Sequence, residues 1–366
     1  GPAGLAAAAE IARHGCSVTV FEKEKMAGGL LRYGIGPHRL PRRILDSELA
    51  YIENLGVEFV VGEPMNFAAD LERLQSEFDG ILITTGSWRD RPLGVKGEGL
   101  DGVYGCLSFL GRFHRGEITR HNGKVAVIGD GNAAFDLART LVRIGAKVTI
   151  VSWFAQEAMP ADPEEIEGAI AEGVSVIDTS QVIEFQGRDG RFERLLCMPT
   201  KPGPEDPNGI AWPIIVEDNE PFSLSFDEAF VAIGQAGALS PTEGPKRNDF
   251  GFIETDHVFR TNLSNVFAAG DAVSGPSTVV HAMAQGRAAA ISALGEVGNI
   301  QTSPARPQRP ADRDFRKIPT DIPPQARVPM PEKQANDRKN SFSEVALGLS
   351  EAQVVYEASR CLQCGV

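Results

Sequence analysis

The sequence predicts an α/β protein of two Rossmann-like units followed by an extended tail. Three observations carry this. A glycine loop at Gly1–Gly4 opens a helix that runs into a strand ending in an acid, Glu22. A complete strand-to-helix glycine fingerprint recurs at Val125–Ala134. Around both, short apolar runs alternate with amphipathic stretches, which suits βαβ units better than hairpins.

A length of 366 residues accommodates two domains and a tail, and 42% hydrophobic with 23% charged residues is a globular composition. The 39 glycines cluster in short loops, where a backbone must come close to something. A net charge of -13 argues against nucleic acid as a partner. No apolar run reaches the ~18 residues of a membrane span. Gly1-Pro2-Ala3-Gly4-Leu5 has neither the basic start nor the cleavage site of a signal peptide. Five scattered cysteines are no disulfide framework, so a cytoplasmic, reducing setting is expected.

In chain order, a helix over 5–14 leads to strands at 17–22, 57–61 and 81–85, with a glycine-rich loop and a helix between the first two. A second block, 116–235, opens with a strand at 124–128, a helix over 132–144 and a strand at 147–151. A hairpin (182–186 with 191–198) and a strand at 229–233 complete it. A third block, 236–297, holds a strand at 266–269, a glycine turn and a helix from Ser277 to about 294. Residues 298–340 are rich in proline and charge, without strand or helix period, and read as an extended surface segment or linker. Ser350 and Gln353 form a capping-box pattern for a last helix, which delivers Cys361 and Cys364.

The first glycine loop fits a dinucleotide site. Gly1 and Gly4 supply the last two glycines of G-x-G-x-x-G, and Glu22 closes the next strand at the distance where an acid accepts hydrogen bonds from an adenosine ribose. Free N–H groups and the dipole at the helix start would receive the pyrophosphate. The chain opens inside this motif and ends two residues after Cys364. Both ends therefore read as cut from a longer polypeptide, with the first strand expected upstream. The bland alternative is a tight turn with a surface glutamate.

The second fingerprint, Gly129-Asp130-Gly131-Asn132-Ala133-Ala134, is complete, and alanine in the last place still allows close helix–sheet packing. The following strand ends at Ser152, where an acid would favour NAD. Neither an acid nor a phosphate-gripping arginine follows; Trp153 and Phe154 come instead. These rings would either flank an adenine or lie buried. A site that has lost nucleotide binding is a further reading.

With both sites placed, the pattern resembles the glutamate synthase small-subunit family and its iron–sulfur electron-transfer relatives over nearly the whole chain. Gly28-Gly29-Leu30-Leu31-Arg32-Tyr33-Gly34-Ile35, with Arg39-Leu40-Pro41, resembles the loop beside the flavin. Thr84-Thr85-Gly86-Ser87 and Ala232-Ile233-Gly234-Gln235 resemble the two crossovers between domains. Met159-Pro160-Ala161 matches a family tripeptide, and Phe267-Ala268-Ala269-Gly270-Asp271 the second flavin motif. Gly275-Pro276-Ser277-Thr278 then opens a helix aimed at the isoalloxazine ring.

The resemblance implies a disulfide-reductase-type architecture. The NAD(P) domain (116–235) is inserted in a split FAD domain (1–115 and 236–297), and 298–366 form the tail. It implies hydride transfer from NADH or NADPH to FAD, and then electron transfer through iron–sulfur clusters to a partner protein or catalytic subunit. Gly1, Gly4, Glu22, Lys23, Gly29, Leu30, Arg32, Thr85, Gly86, Gly270, Asp271, Ser277 and Thr278 would hold FAD. Gly129, Gly131, Asn132 and Ala134 would hold the nicotinamide nucleotide, and Ala133 and Gly234 are further expected cofactor contacts. The family usually carries arginines where this chain has Ser152-Trp153-Phe154, which tilts the choice towards NADH. Cys361 and Cys364 are half of a cluster motif, since a [4Fe-4S] cluster needs four thiolates; the others would lie outside this chain. A zinc knuckle or a plain helix end is the alternative for this pair.

Cys16, Cys106 and Cys197 are isolated and read as small hydrophobes. The six histidines show no metal-ligand spacing, and His281 reads as a helix-surface or packing residue although it could approach the flavin. No residue is expected to catalyse by itself, because the cofactors carry the chemistry. Two other functions stay open: a flavin-bearing assembly subunit with a vestigial nicotinamide site, and a stand-alone small-molecule reductase.

Overall fold

The computed structural model describes residues 1–207, 209–239, 244–298, 300 and 325–360. Helix α1 (Pro2–Arg13) starts on a proline, whose missing N–H costs nothing in a first turn, and ends before Gly15 at φ 79°. Small residues line its inner face, with Ala3, Ala7 and Ala8 all buried. Strand β1 (Val18–Glu22) follows, then the short α2 (Leu30–Tyr33), α3 (Arg42–Asn54) and β2 (Val57–Val61). β2 lies parallel to β1, with Val57 opposite Val18. Next come α4 (Phe67–Glu77), whose Asn66 cap accepts from the Ala69 N–H, and β3 (Ile81–Ile83).

The chain then leaves this unit through β4 (Arg89–Asp90), followed by β5 (Val103–Gly105) and α5 (Cys106–His114). The second unit continues with β6 (Lys124–Ile128), α6 (Asn132–Arg143), β7 (Lys147–Val151), α7 (Pro163–Ala171) and β8 (Ser175–Ile177). Four antiparallel strands follow: β9 (Ser180–Arg188), β10 (Arg191–Glu205), β11 (Ala211–Ile215) and β12 (Phe222–Ser225). β13 (Glu228–Val231) returns to the parallel sheet, whose order is β5-β13-β6-β7-β8.

The apolar run of β6 is continuous because both faces are covered. Val125 and Val127 face a core with α5 and α6, whereas Ala126 and Ile128 face Phe185, Phe192 and Leu195 of the antiparallel sheet. The sequence division at residue 115 cuts across this packing, since β5 pairs with β13, and Phe109 and Leu110 of α5 lie in the second unit's core. β10 also runs past the expected end near Met198. It pairs with β9 as far as Pro199 and with β11 from Thr200 onward, so proline falls where the ladder changes partner.

β14 (Gln235–Ala236) pairs antiparallel with β4, and the chain re-enters the first unit at β15 (Val266–Ala268), parallel to β3. α8 (Asp271–Ser274) is a single turn. α9 (Val279–Glu296) is capped by Thr278, whose hydroxyl accepts from the His281 N–H.

In the tail, α10 (Ala335–Arg338) is a turn of helix that no sequence period announces, and α11 (Glu351–Ser359) carries both bonds of the Ser350–Gln353 capping box. The stretch before α11 spans both units. The Val345 N–H donates to the His38 carbonyl (2.9 Å), while Phe342 packs on the core of the second unit. Cys361 and Cys364 lie outside the described residues. No described helix is long and apolar enough to cross a membrane.

Candidate dinucleotide sites

Four distant segments meet at the start of α1. A Cβ on Gly29 (φ 55°) would stand 2.5 Å from Gly1 Cα, and one on Gly4 2.5 Å from Thr84 Oγ1. A Cβ on Gly270 (φ 70°) would stand 2.7 Å from Ala3 Cβ, and one on Gly286 of α9 would strike the Ala3 carbonyl. The glycine-rich loop, the end of β3, the turn after β15 and α9 therefore converge on one helix N-terminus, and each approach requires the absence of a side chain. A dinucleotide phosphate needs this arrangement, a bare backbone at the positive end of a helix. The residues present fit FAD.

Around that point the expected residues take distinct places. Glu22 ends β1, and its Oε1 accepts from the Glu24 N–H (3.1 Å). Lys23 lies over the Trp88 ring, 5.3 Å from its centroid. Leu30 opens α2, and Thr85 stands exposed beside Gly86 at φ 70°. Asp271 accepts from the Ser277 hydroxyl (2.9 Å), and burial pushes its carboxyl up. Arg32 is brought nearby but is engaged elsewhere: 6% exposed, it donates to the Ala27 carbonyl (2.8 Å) and pairs with Asp46. It braces the glycine loop. His281 is exposed on α9 and bonds Gln285 (2.7 Å), whose Oε1 accepts from the Gly270 N–H (2.9 Å).

The second fingerprint is local. A Cβ on Gly129 (φ 137°) would strike the Ala232 carbonyl, whereas the Cβ position of Gly131, the cap of α6, meets nothing within 4 Å. That open face leaves room for a phosphate to approach. Ala134 is fully buried against the sheet, and the Ala133 carbonyl lies 3.5 Å from Cys106 Sγ. Asn132 is tied to Asp162, accepting from its N–H (2.9 Å) and donating to its carboxylate (3.1 Å). Asp130 is buried, which raises its carboxyl, and it accepts from the Ser152 hydroxyl (2.8 Å). Its carbonyl accepts from the Ala161 N–H (3.1 Å), so the Met159-Pro160-Ala161 tripeptide pins the phosphate loop. These residues fit the phosphates of a nicotinamide dinucleotide.

The two crossovers join directly. Ser87 donates to Gln235 Oε1 (2.7 Å), and the Arg91 N–H donates to the carbonyl of Gly234, at φ 121°.

A clamp between the units escaped sequence reading. Arg39, in the loop beside the flavin motif, reaches Asp136 (2.8 Å) and Glu165 (2.8 Å) on α6 and α7. Behind it Arg139 and Arg143 share the fully buried Glu172. One signal was available: Asp136, Arg139 and Arg143 fall at helical spacing on the face of α6 that also carries apolar residues. His38, 1% exposed, sits among these arginines with no hydrogen-bond partner for either ring nitrogen among the described residues. Burial, with Arg143, Arg139 and Arg39 beside it, holds His38 down to about 2. Asp136 is pushed up to about 6 by burial, despite Arg39. Of the lone cysteines, Cys106 and Cys197 are buried, while Cys16 is only partly so.

Over residues 1–286 the chain matches the family described as pyridine nucleotide-disulphide oxidoreductase. It is 35% identical, over 100% of its own length, to the NADP(+)-dependent formate dehydrogenase subunit beta of Moorella thermoacetica, and covers 53% of that protein. It is 31% identical to the NADPH glutamate synthase small chain of Mycobacterium tuberculosis, across 79% of this chain and 64% of that one. The chain thus spans between half and two thirds of the length of these relatives. FprA of Mycobacterium tuberculosis in complex with NADPH superposes with a TM-score of 0.67 at 18% identity, covering 83% of this chain and 86% of that chain, which shows a shared fold.

Proposed function

The chain belongs to the pyridine nucleotide-disulphide oxidoreductase family, and from that premise we propose that it is the flavin- and nicotinamide-binding part of an electron-transfer flavoprotein. It takes reducing equivalents from NAD(P)H into FAD and passes electrons to an iron–sulfur partner or catalytic subunit. The observation that carries this reading is the convergence of four distant motifs on the start of α1, beside a second intact fingerprint.

When bound, FAD and NAD(P)H supply the two-electron chemistry, and the chain's residues bind and orient them. Gly1, Gly4 and Gly29 leave the backbone of α1 open to a pyrophosphate. Glu22 accepts from the adenosine ribose. Asp271, held by Ser277, would bind the polar middle of the cofactor, and the α9 terminus at Thr278 would offer its dipole to negative charge on the ring. Gly131 and the N–H groups of Asn132 and Ala133 receive the second pyrophosphate. In this reading the flavin unit comprises about 1–102 and 236–297, and the nicotinamide unit runs from Val103 to Gln235, following the strand pairing. Cys361 and Cys364 contribute two thiolates to a [4Fe-4S] cluster completed elsewhere. A cytoplasmic setting is part of this reading.

Partner subunits are supported by the names of relatives, one a subunit beta and one a small chain. The test is anaerobic stopped-flow absorbance of the FAD-loaded protein mixed with NADH or NADPH. Rapid bleaching of the flavin band by either is expected. A flavin left oxidised by both would overturn the reading and favour an assembly subunit with a vestigial site.

A further inference from the structure

The end of β7 carries an aromatic arrangement that hydride transfer to a flavin does not by itself require. We propose that Trp153, Phe154 and Trp212 seat the adenine of the nicotinamide dinucleotide, and that this chain takes NADH in preference to NADPH. The inference rests on the assignment of the second fingerprint as a nicotinamide dinucleotide site.

Place comes first. In a Rossmann unit the adenosine lies over the end of the strand that follows the phosphate-loop helix, and here that strand is β7. Hydrogen bonds tie its end to the phosphate loop. Ser152 Oγ lies 2.8 Å from Asp130 Oδ2 and accepts from the Phe154 N–H (3.0 Å). Trp153 and Phe154 are thereby tied, through Ser152, to Asp130 between Gly129 and Gly131.

The third ring arrives from a separate element. β11 brings Trp212 to 6.0 Å from Trp153 and 5.8 Å from Phe154, centroid to centroid. Phe154 is buried and forms the floor, Trp153 is half-buried, and Trp212 is 46% exposed. Its indole N–H donates to Asp206 (3.0 Å), which fixes the ring orientation and leaves the indole with no polar group for water. Ile210 and Ile214, also exposed, flank it at alternating positions of the same hairpin. An open π face beside a phosphate loop suits a purine, which stacks on aromatic side chains.

Charge decides between the two nucleotides. They differ by a 2′-phosphate carrying about two negative charges at pH 7. Ser152, at the strand end that reads the ribose, is fully buried and already hydrogen-bonded. Among the described residues, three carboxylates hydrogen-bond into this corner: Asp130, Asp178 (accepting from the Gln156 N–H, 3.1 Å) and Asp206. Lys201, on β10 opposite Ile214, is exposed on the hairpin. A ribose hydroxyl finds acceptors here, whereas a 2′-phosphate meets like charge.

The experiment is isothermal titration of the FAD-loaded full chain with ADP-ribose and with 2′-phospho-ADP-ribose, which carry the adenosine end without the nicotinamide. ADP-ribose should bind at least about tenfold more tightly, and Trp212→Ala should weaken it by about tenfold, as expected for the loss of one stacked ring, while Trp212→Tyr retains most of the affinity. Trp153→Ala should weaken it similarly, with circular dichroism confirming that each variant is folded. Tighter binding of the 2′-phosphate form, no binding of ADP-ribose, or an affinity unchanged in both alanine variants would overturn the proposal. The two readings fail separately. Trp212-dependent ADP-ribose binding with a flavin that NADH does not bleach sinks the hydride-entry function alone. Bleaching by NADH with tryptophan-independent affinity sinks the aromatic seat alone.

Discussion

The two dinucleotide sites use the same glycine chemistry on different supports. In the second, motif and scaffold are one continuous stretch: β6, the loop and α6 follow each other in sequence, in a five-stranded sheet whose Val125, Ala126 and Val127 are fully buried. In the first, the same kind of helix start is completed by the 28–29 loop, the end of β3, the turn at Gly270 and α9. Its strands form two separate pairs, β1–β2 and β3–β15. A site written locally tolerates distant change, whereas a site assembled from afar depends on every approach.

The largest expected effect comes from breaking one approach at each site. Gly29→Val must fit a branched side chain at positive φ against Gly1, so flavin retention should fall by two orders of magnitude or more, on the order of the ~3 kcal/mol of an overpacked contact. Gly129→Val should abolish flavin reduction by NADH while the purified protein keeps its flavin. Absorbance of the isolated proteins at the flavin band separates the two, and loss of flavin from both variants would erase the distinction.

A smaller effect is expected at Asp271. Asp271→Ala removes the Ser277 partner without steric insult, and flavin affinity should drop by about tenfold, the scale of one charged hydrogen bond. Full flavin occupancy at limiting FAD would refute the role given to this carboxylate.

The clamp tests whether the two sites are mechanically coupled. Arg39→Ala leaves Asp136 buried without this partner and should cost about 1–3 kcal/mol, the lower half being expected because Arg39 is itself partly exposed. Tm would report the loss, and a slower NADH-driven bleaching at unchanged flavin content would show that orientation had suffered. Asp136→Asn in the same background should recover part of the Tm.

The last effect is a pH slope. Burial holds His38 at about 2 and His114 at about 4, both below the ordinary 6.5, so the unfolded chain takes up protons that the folded chain refuses as pH falls through about 6.5. Stability should therefore decline on acidification below that point. Asp136, raised to about 6, works in the opposite sense, since the folded state takes its proton first. The two histidines outweigh it. Tm should fall between pH 7 and pH 5, and His38→Leu should flatten the slope. An unchanged slope would remove His38 from the account.

Much of the fold was legible. β2, β6 and β7 lie where apolar runs put them, and for β6 and β7 the reason is that a buried parallel strand must be largely apolar along its length. The Ser350–Gln353 cap could be read for a similar reason, being a contract between residues three apart. The membership of α5 in the second unit was not legible, since a helix after a loop carries no mark of which sheet it joins. Nor was the extension of β10, where Pro199, a residue type that normally ends a strand, sits at a change of partner.

By itself the sequence determined where the two glycine loops open their helices. Glycine, helix start and strand-end acid are short-range signals, set within about twenty residues of one another. The tertiary structure decided the rest. It brought Trp212 from a distant hairpin to Trp153, tied Arg39 to Asp136 across the two units, and bonded Arg32, expected beside the flavin, to the Ala27 carbonyl of its own loop. Such contacts depend on the path of the whole chain, and a side chain's partner far along that path leaves no trace in its neighbours.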